Sequence, residues 1–112
     1  MSRIQVAILL VIVNLSSPAL ANPAWTFCVA SALGTKDVWI TSLFQASADR
    51  ARLEEEFRNL LERAGHTRIV AQCPQPSDDK VAVVNAQTVA EEFNRKLGVF
   101  LHDIAPREFS PR

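Results

Sequence analysis

The sequence predicts an α+β fold: a two-layer sandwich in which two helices cover one face of a sheet of about four strands. Two segments repeat apolar residues at the period of an amphipathic helix, and four shorter segments are rich in β-branched, aromatic or other apolar residues. Their order along the chain is strand, strand, helix, strand, helix, strand. Because two helices of moderate length cannot cover both faces of such a sheet, we expect both on one face.

Two apolar runs, residues 25–33 and 38–44, predict a β-hairpin. The polar turn between them, residues 34–37, contains Gly34, as hairpin loops of this length often do. A third strand is predicted over residues 67–73, where the prolines that follow end it, and a last strand over residues 99–104.

The first helix is the clearest local signal in the chain. Ser47 is predicted to be its N-cap, Asp49 lies in its first turn and Gly65 stands at the C′ position. One face carries the apolar residues Leu53, Phe57, Leu60, Leu61 and Ala64. The other face is charged, and the i,i+4 spacing predicts the ion pairs Glu54–Arg58 and Arg58–Glu62 on a solvated surface.

The second helix is predicted to begin at Ser77 or Asp78 and to end at Gly98. Its apolar face carries Ala82, Ala86, Val89, Ala90, Phe93 and Leu97. Residues 80–84 could also form a short strand before a helix that starts at Ala86. We favour the long helix because the alanines keep helical spacing without a break.

The first 21 residues have the pattern of a secretory signal peptide. Arg3 precedes an apolar run over residues 4–13, and Ala19-Leu20-Ala21 matches the small-x-small pattern of a cleavage site. The apolar run is too short to span a bilayer. We therefore expect a periplasmic or secreted product without membrane insertion, a domain over residues 22–105 and a flexible tail over residues 106–112.

Cys28 and Cys73 are the only cysteines, and both lie in the part predicted to be exported. In an oxidising compartment two such thiols usually pair, so we predict a disulfide. On the chain-entropy model it would stabilise the fold by about 4 kcal/mol.

Several chemistries lack support in the sequence. Twelve basic and twelve acidic residues give no electrostatic reason to expect nucleic acid as a partner. His66 and His102 could in principle join the cysteines in a metal site, but the spacings do not match one. Ser42 and Asp79 belong to no nucleophile motif, and no phosphate-binding loop is present. We therefore predict no cofactor, no metal and no enzymatic activity.

The sheet face away from the helices is the predicted binding surface. It would expose Phe27, Val29, Leu33, Trp39 and Leu43. An apolar patch of this size usually marks an interface, although the N-terminal segment or the C-terminal tail could cover it. The leading expectation is a non-enzymatic binding or structural domain of the bacterial envelope. Its partner would be a second copy, another envelope protein or a secreted enzyme.

Two resemblances add to this interpretation. The pattern of Cys28, the run VWITSLF, an amphipathic helix, Gln72-Cys73-Pro74 and an alanine-spaced helix resembles small exported single-disulfide proteins of proteobacteria, a group with no assigned activity.

If residues 80–84 form a strand, the element order also resembles that of the SPOR (sporulation-related repeat) domain. VWITSLF would then stand in place of that family's first strand, V-Q-[LV]-G-[SA]-F. Trp39 replaces the usual Gln, Thr41 replaces the usual Gly, and one residue is extra before Phe44. This resemblance implies binding to peptidoglycan glycan strands that lack stem peptides. A small periplasmic hydrolase is the third hypothesis.

Overall fold

A computed structural model describes residues 23–109 and Pro111, so the predicted signal peptide lies outside the described residues. Within them the chain forms two helices and six strands, which confirms the α+β class. The elements in chain order are β1 (Trp25–Thr26), β2 (Val29–Ala32), β3 (Asp37–Thr41), β4 (Phe44–Gln45), α1 (Arg50–Arg63), β5 (Ile69–Gln72), α2 (Lys80–Lys96) and β6 (Phe100–Ile104).

A four-stranded sheet in the order β5-β2-β3-β6 forms the centre of the domain. Strands β2 and β3 make the predicted antiparallel hairpin, and Gly34 adopts a φ of 82° in its turn. Strand β5 pairs antiparallel with β2, whereas β6 runs parallel to β3. Strands β5 and β6 are therefore the two edges of this sheet.

The two strands predicted for the hairpin span more residues than the two strands that form it in the central sheet. Each is interrupted, and the outer pieces β1 and β4 pair with each other in a separate two-stranded sheet. Polar side chains hold the chain at this crossing point. The Thr26 hydroxyl donates to the Pro74 carbonyl at 2.8 Å, and the Thr41 hydroxyl accepts from the Cys28 N–H at 2.9 Å.

The helices pack on the sheet, as predicted, but on opposite faces of it. Helix α1 buries Leu53, Phe57 and Leu61 in one core cluster together with Cys28, Ala30, Ala32 and Trp39. Helix α2 contributes Val83 to a second cluster with Phe27 and Ile40. Successive side chains of a strand point to opposite faces of the sheet. Because both sets of side chains are apolar here, each face packs against a helix.

Helix α2 is attached more loosely than α1. Val83 is its only buried residue among those described, and polar contacts supply much of the rest. The Gln87 side chain donates to the Thr41 carbonyl at 2.7 Å, and the Lys80 ammonium lies 4.2 Å from the centroid of the Trp25 ring. Residues 80–84 are helical, which confirms the preferred long helix.

Both helices begin later than the sequence predicted. Asp49, not Ser47, is the N-cap of α1, and its carboxylate accepts from the Arg52 N–H at 2.9 Å. Asp79, and neither Ser77 nor Asp78, caps α2. In each case the aspartate is the last residue before the helix whose carboxylate can reach a free N–H of the first turn. Gly65 and Gly98 follow the C-caps with positive φ, as predicted.

The predicted ion pairs of α1 are not the ones that form. Glu54 approaches Arg50 at 4.0 Å and Glu56 approaches Arg52 at 3.3 Å, so each acid pairs with the arginine one turn before it. Glu54 turns that way because its carboxylate also accepts from the Cys73 N–H at 2.9 Å.

The predicted disulfide between Cys28 and Cys73 is confirmed, and both residues are buried. Of the predicted tail, the structure describes residues 106–109 and Pro111, and part of this segment packs on the domain. Phe109 is buried in the α1 cluster, with its ring centroid 5.6 Å from that of Phe44 and 5.0 Å from that of Phe57. Burial of this aromatic side chain offsets part of the conformational entropy that the segment loses when it is ordered.

None of the helices in the described part of the chain is both long enough and apolar enough to span a membrane.

Replacing both cysteines by alanine should lower the free energy of unfolding by about 4 kcal/mol, because the bond closes a long loop in the unfolded chain. Urea denaturation of the oxidised protein and of the double variant measures the difference. A reductant should destabilise the parent protein and leave the variant unchanged. Equal denaturation midpoints for parent and variant would contradict this role.

Two phenylalanines test the unequal packing of the helices. Phe57 on α1 is fully buried, whereas Phe93 on α2 is exposed. Phe57→Ala should cost about 3–5 kcal/mol of unfolding free energy, and Phe93→Ala about 0.5 kcal/mol or less. Thermal or urea denaturation measures both variants. Similar losses in the two would show that α2 packs as tightly as α1.

Candidate functional site

The residues of the predicted interface do not form one exposed patch. Phe27 and Trp39 are buried, with 3% and 5% of their surface exposed, while Val29 and Leu43 are half-buried and Leu33 is 49% exposed. The expectation of an uncovered face is therefore wrong for the two aromatic residues. Trp39 lies directly opposite Ala30 in the β2–β3 register, which places it on the α1 face; Phe27 lies on the other face, beneath α2.

Part of the apolar surface that remains open lies beside the edge strand β5, where Val70 is 42% exposed. A groove of about 630 Å³ runs beside it, between the start of α1 and the middle of α2. We call it the edge groove. Its lining residues are Phe27, Val29, Arg50, Glu54, Val70, Ala71, Gln72, Cys73, Pro74 and Ala90. Its volume lies in the range of known ligand sites.

Helix α2 lines the edge groove with Ala90 and carries three exposed apolar side chains on the same side of the helix. Val89, Phe93 and Leu97, which we call the α2 ridge, are 64%, 61% and 59% exposed. Helix geometry places Phe93 about 60° and Leu97 about 20° round the axis from Ala90, which lines the groove. The ridge therefore continues the apolar wall of the groove toward the C-terminal end of α2.

Strand β5 turns one row of backbone groups toward this open space. The Leu33 N–H donates to the Arg68 carbonyl at 3.0 Å, so Leu33 and Arg68, which face each other at the end of the β2–β5 ladder, are a hydrogen-bonded pair. Because such pairs alternate in an antiparallel ladder, Val70 and Gln72 bond to β2. The N–H and C=O groups of Ile69 and Ala71 then point away from β2, toward the side of β5 where the sheet has no further strand.

A carboxylate ends this row of backbone groups. Glu54 reaches across from α1 and accepts the Cys73 N–H, the next donor along the same side of β5. A second groove, of about 380 Å³, lies on the α1 side of β5 and is lined in part by Glu55, Arg58 and Ile69. The edge strand thus has open space on both faces, with Val70 and Ala90 on the α2 side and Glu55 and Arg58 on the α1 side.

The two histidines come together around a buried tryptophan. The ring centroid of Trp39 lies 4.6 Å from that of His66 and 5.4 Å from that of His102. The Nε2 atom of His102 is 2.9 Å from an Asp37 carboxylate oxygen on the neighbouring strand. Both imidazoles therefore serve as packing partners of Trp39 in this structure.

The other candidates for hydrolytic chemistry also have structural partners. The Ser42 hydroxyl donates to the Ile104 carbonyl at 3.5 Å, and Asp79 caps α2. The disulfide leaves Cys28 and Cys73 without thiolates. No group of three or more metal-ligating side chains occurs within residues 23–109. Among the described residues, the side chains named here do not pair a nucleophile with a base.

The sequence does not identify the α2 ridge, because helical spacing places Val89, Phe93 and Leu97 on the predicted packed face of the helix. One feature of the sequence does indicate exposed apolar residues on this helix. Val81 and Val84 lie outside the predicted apolar face, so the apolar residues occupy a wider arc than one face can bury. Nor did the sequence indicate the open backbone groups of β5, which follow only from the strand order.

Hydrogen exchange tests whether the β5 edge is open. The amides of Val70 and Gln72 should be protected, and those of Ile69 and Ala71 should exchange rapidly, because only the first two bond to β2. Exchange followed by NMR resolves the four amides. In Glu54→Ala the Cys73 amide should lose protection while the Val70 amide keeps it. Protection of all four amides would mean that the edge is covered.

Comparison of the chain with protein-family models, with curated proteins and with solved structures gave no match in any of the three.

Proposed function

We propose that this protein is an exported, non-enzymatic domain that binds another protein at the edge groove. The observation that carries the proposal is the open apolar surface of Val70 and Ala90 in the edge groove, with the α2 ridge exposed on the same side of helix α2. Monomeric soluble proteins seldom expose contiguous apolar surface without a use for it. Three large side chains in a row, each about 60% exposed, supply the kind of anchor on which interfaces depend.

The disulfide supports the exported part of the proposal. A buried bond between Cys28 and Cys73 is compatible with an oxidising compartment, and the signal-peptide pattern of residues 1–21 indicates the route to it. The expected location is the bacterial periplasm or the exterior of the cell.

The non-enzymatic part is supported by how the chemically capable side chains are used. His66 and His102 pack on Trp39, and Asp79 caps a helix. Glycan binding, which the SPOR resemblance implies, stays a prediction. Its element order needs a strand over residues 80–84, which are helical here, so we do not propose it.

Site-specific photocrosslinking tests the proposal and identifies the partner in the same experiment. A photoreactive phenylalanine derivative replaces Phe93 on the α2 ridge in one variant. In the matched control it replaces Val81, which lies at the start of the same helix and is 70% exposed. The crosslinking is carried out in the compartment to which the protein is exported. We expect a discrete adduct with one protein from position 93 and no adduct from position 81.

The partner identified in this way should bind the purified, oxidised protein. Val70→Asp should weaken that binding by roughly tenfold or more, because it places a charge in an apolar groove. Val81→Asp should leave the affinity unchanged. Identical adduct patterns from positions 93 and 81, or equal effects of the two aspartate substitutions, would contradict binding at the edge groove.

A further inference from the structure

We infer that the edge groove takes an extended segment of a partner protein, which adds to β5 as a fifth strand of the central sheet. This inference rests on the proposed function and specifies the form of the ligand. Its ligand is a short, proline-free peptide in β conformation, with apolar side chains toward α2 and polar side chains toward α1.

The open backbone groups of β5 carry the argument. Ile69 and Ala71 each direct an N–H and a C=O away from β2, so the open side presents donors and acceptors at the spacing of a strand. An extended backbone is the ligand that can satisfy this pattern along its whole length. A helix cannot, because its own backbone groups are already bonded to one another.

The Glu54 carboxylate limits the length of this docking strand. It occupies the Cys73 N–H, the next donor that an added strand would meet. Pro74 follows and offers no N–H at all. The ligand segment should therefore be about four or five residues long, to match the four residues of β5.

The two sides of the edge strand select different side chains. Val70 and Ala90 lie on the α2 side, where the α2 ridge extends the apolar wall. Glu55 and Arg58 lie on the α1 side. Because successive side chains of a strand point to opposite faces, a bound peptide should alternate apolar and polar residues.

The side-chain pattern of β5 argues against a second copy of this chain as the occupant. Ile69 and Ala71 pack in the α1 cluster, so β5 carries two apolar residues on its α1 side. An antiparallel β5 strand of a second copy that continued the sheet would present the same two residues toward α1. That is the side on which the bound segment should be polar.

Selection from a phage-displayed library of random peptides on the oxidised protein tests the inference. We expect enriched peptides with alternating apolar and polar residues, and we would measure their affinity as synthetic peptides. Ala71→Pro removes an outward N–H without removing a bond to β2, and should weaken binding by roughly tenfold or more. Ala71→Ser keeps the N–H and should bind as the parent protein does.

Hydrogen exchange of the parent protein with the bound peptide provides a second measurement, in case Ala71→Pro does not fold. The amides of Ile69 and Ala71 should become protected on binding. If peptide binding depends on Val70 but leaves the amides of Ile69 and Ala71 unprotected, strand addition would be overturned. The proposed function, binding at the edge groove, would still hold. Enrichment of no peptide at all would also overturn strand addition, and the photocrosslinking result would then decide the proposed function separately.

Sedimentation equilibrium tests directly whether a second copy of this chain occupies the edge groove. A concentration-dependent dimer that Ala71→Pro dissociates and Ala71→Ser does not would show that a second copy pairs with β5. That outcome would overturn the inference of a peptide ligand. A monomer at all concentrations is the expected result.

Discussion

The bond between Cys28 and Cys73 is the constraint on which the rest of the structure depends. It joins the residue before β2 to the residue after β5, and so holds the edge strand beside the centre of the sheet. Without it β5 would rely on a four-residue ladder and on α1 for its position. The same bond places the Cys73 N–H within reach of Glu54. The crosslink therefore acts with the β2–β5 ladder and α1 to fix the geometry of the edge groove.

The unequal attachment of the two helices produces the open surface. Helix α1 contributes three buried apolar residues to a core that Phe109 completes from the C-terminal segment. Helix α2 contributes one buried residue, Val83, and the partly buried Ala90 to the other cluster, and polar contacts of Lys80 and Gln87 add to its attachment. Because α2 covers the other sheet face incompletely, its ridge and the β5 edge remain accessible, and these two features together define the proposed binding site.

Edge strands carry a risk of unwanted pairing, and this domain restricts the risk without removing it. Strand β5 is short, prolines follow it, and a glutamate carboxylate occupies the donor at one end. What remains is a short row of backbone groups beside an apolar wall, which suits selective binding of an extended peptide better than general aggregation.

The sequence by itself determined the local elements, because helix periodicity and turn glycines depend on residues that are close together in the chain. The disulfide could be predicted from the number of cysteines alone. It predicted both helices, the hairpin, the α+β class and the disulfide. Only the tertiary structure decided which face each helix covers and which strands form the edges. The β2–β3 register placed Trp39 with Ala30, and the loose fit of α2 left Phe93 exposed. Both depend on contacts between residues far apart in the chain, which alternation along one strand or helix does not encode.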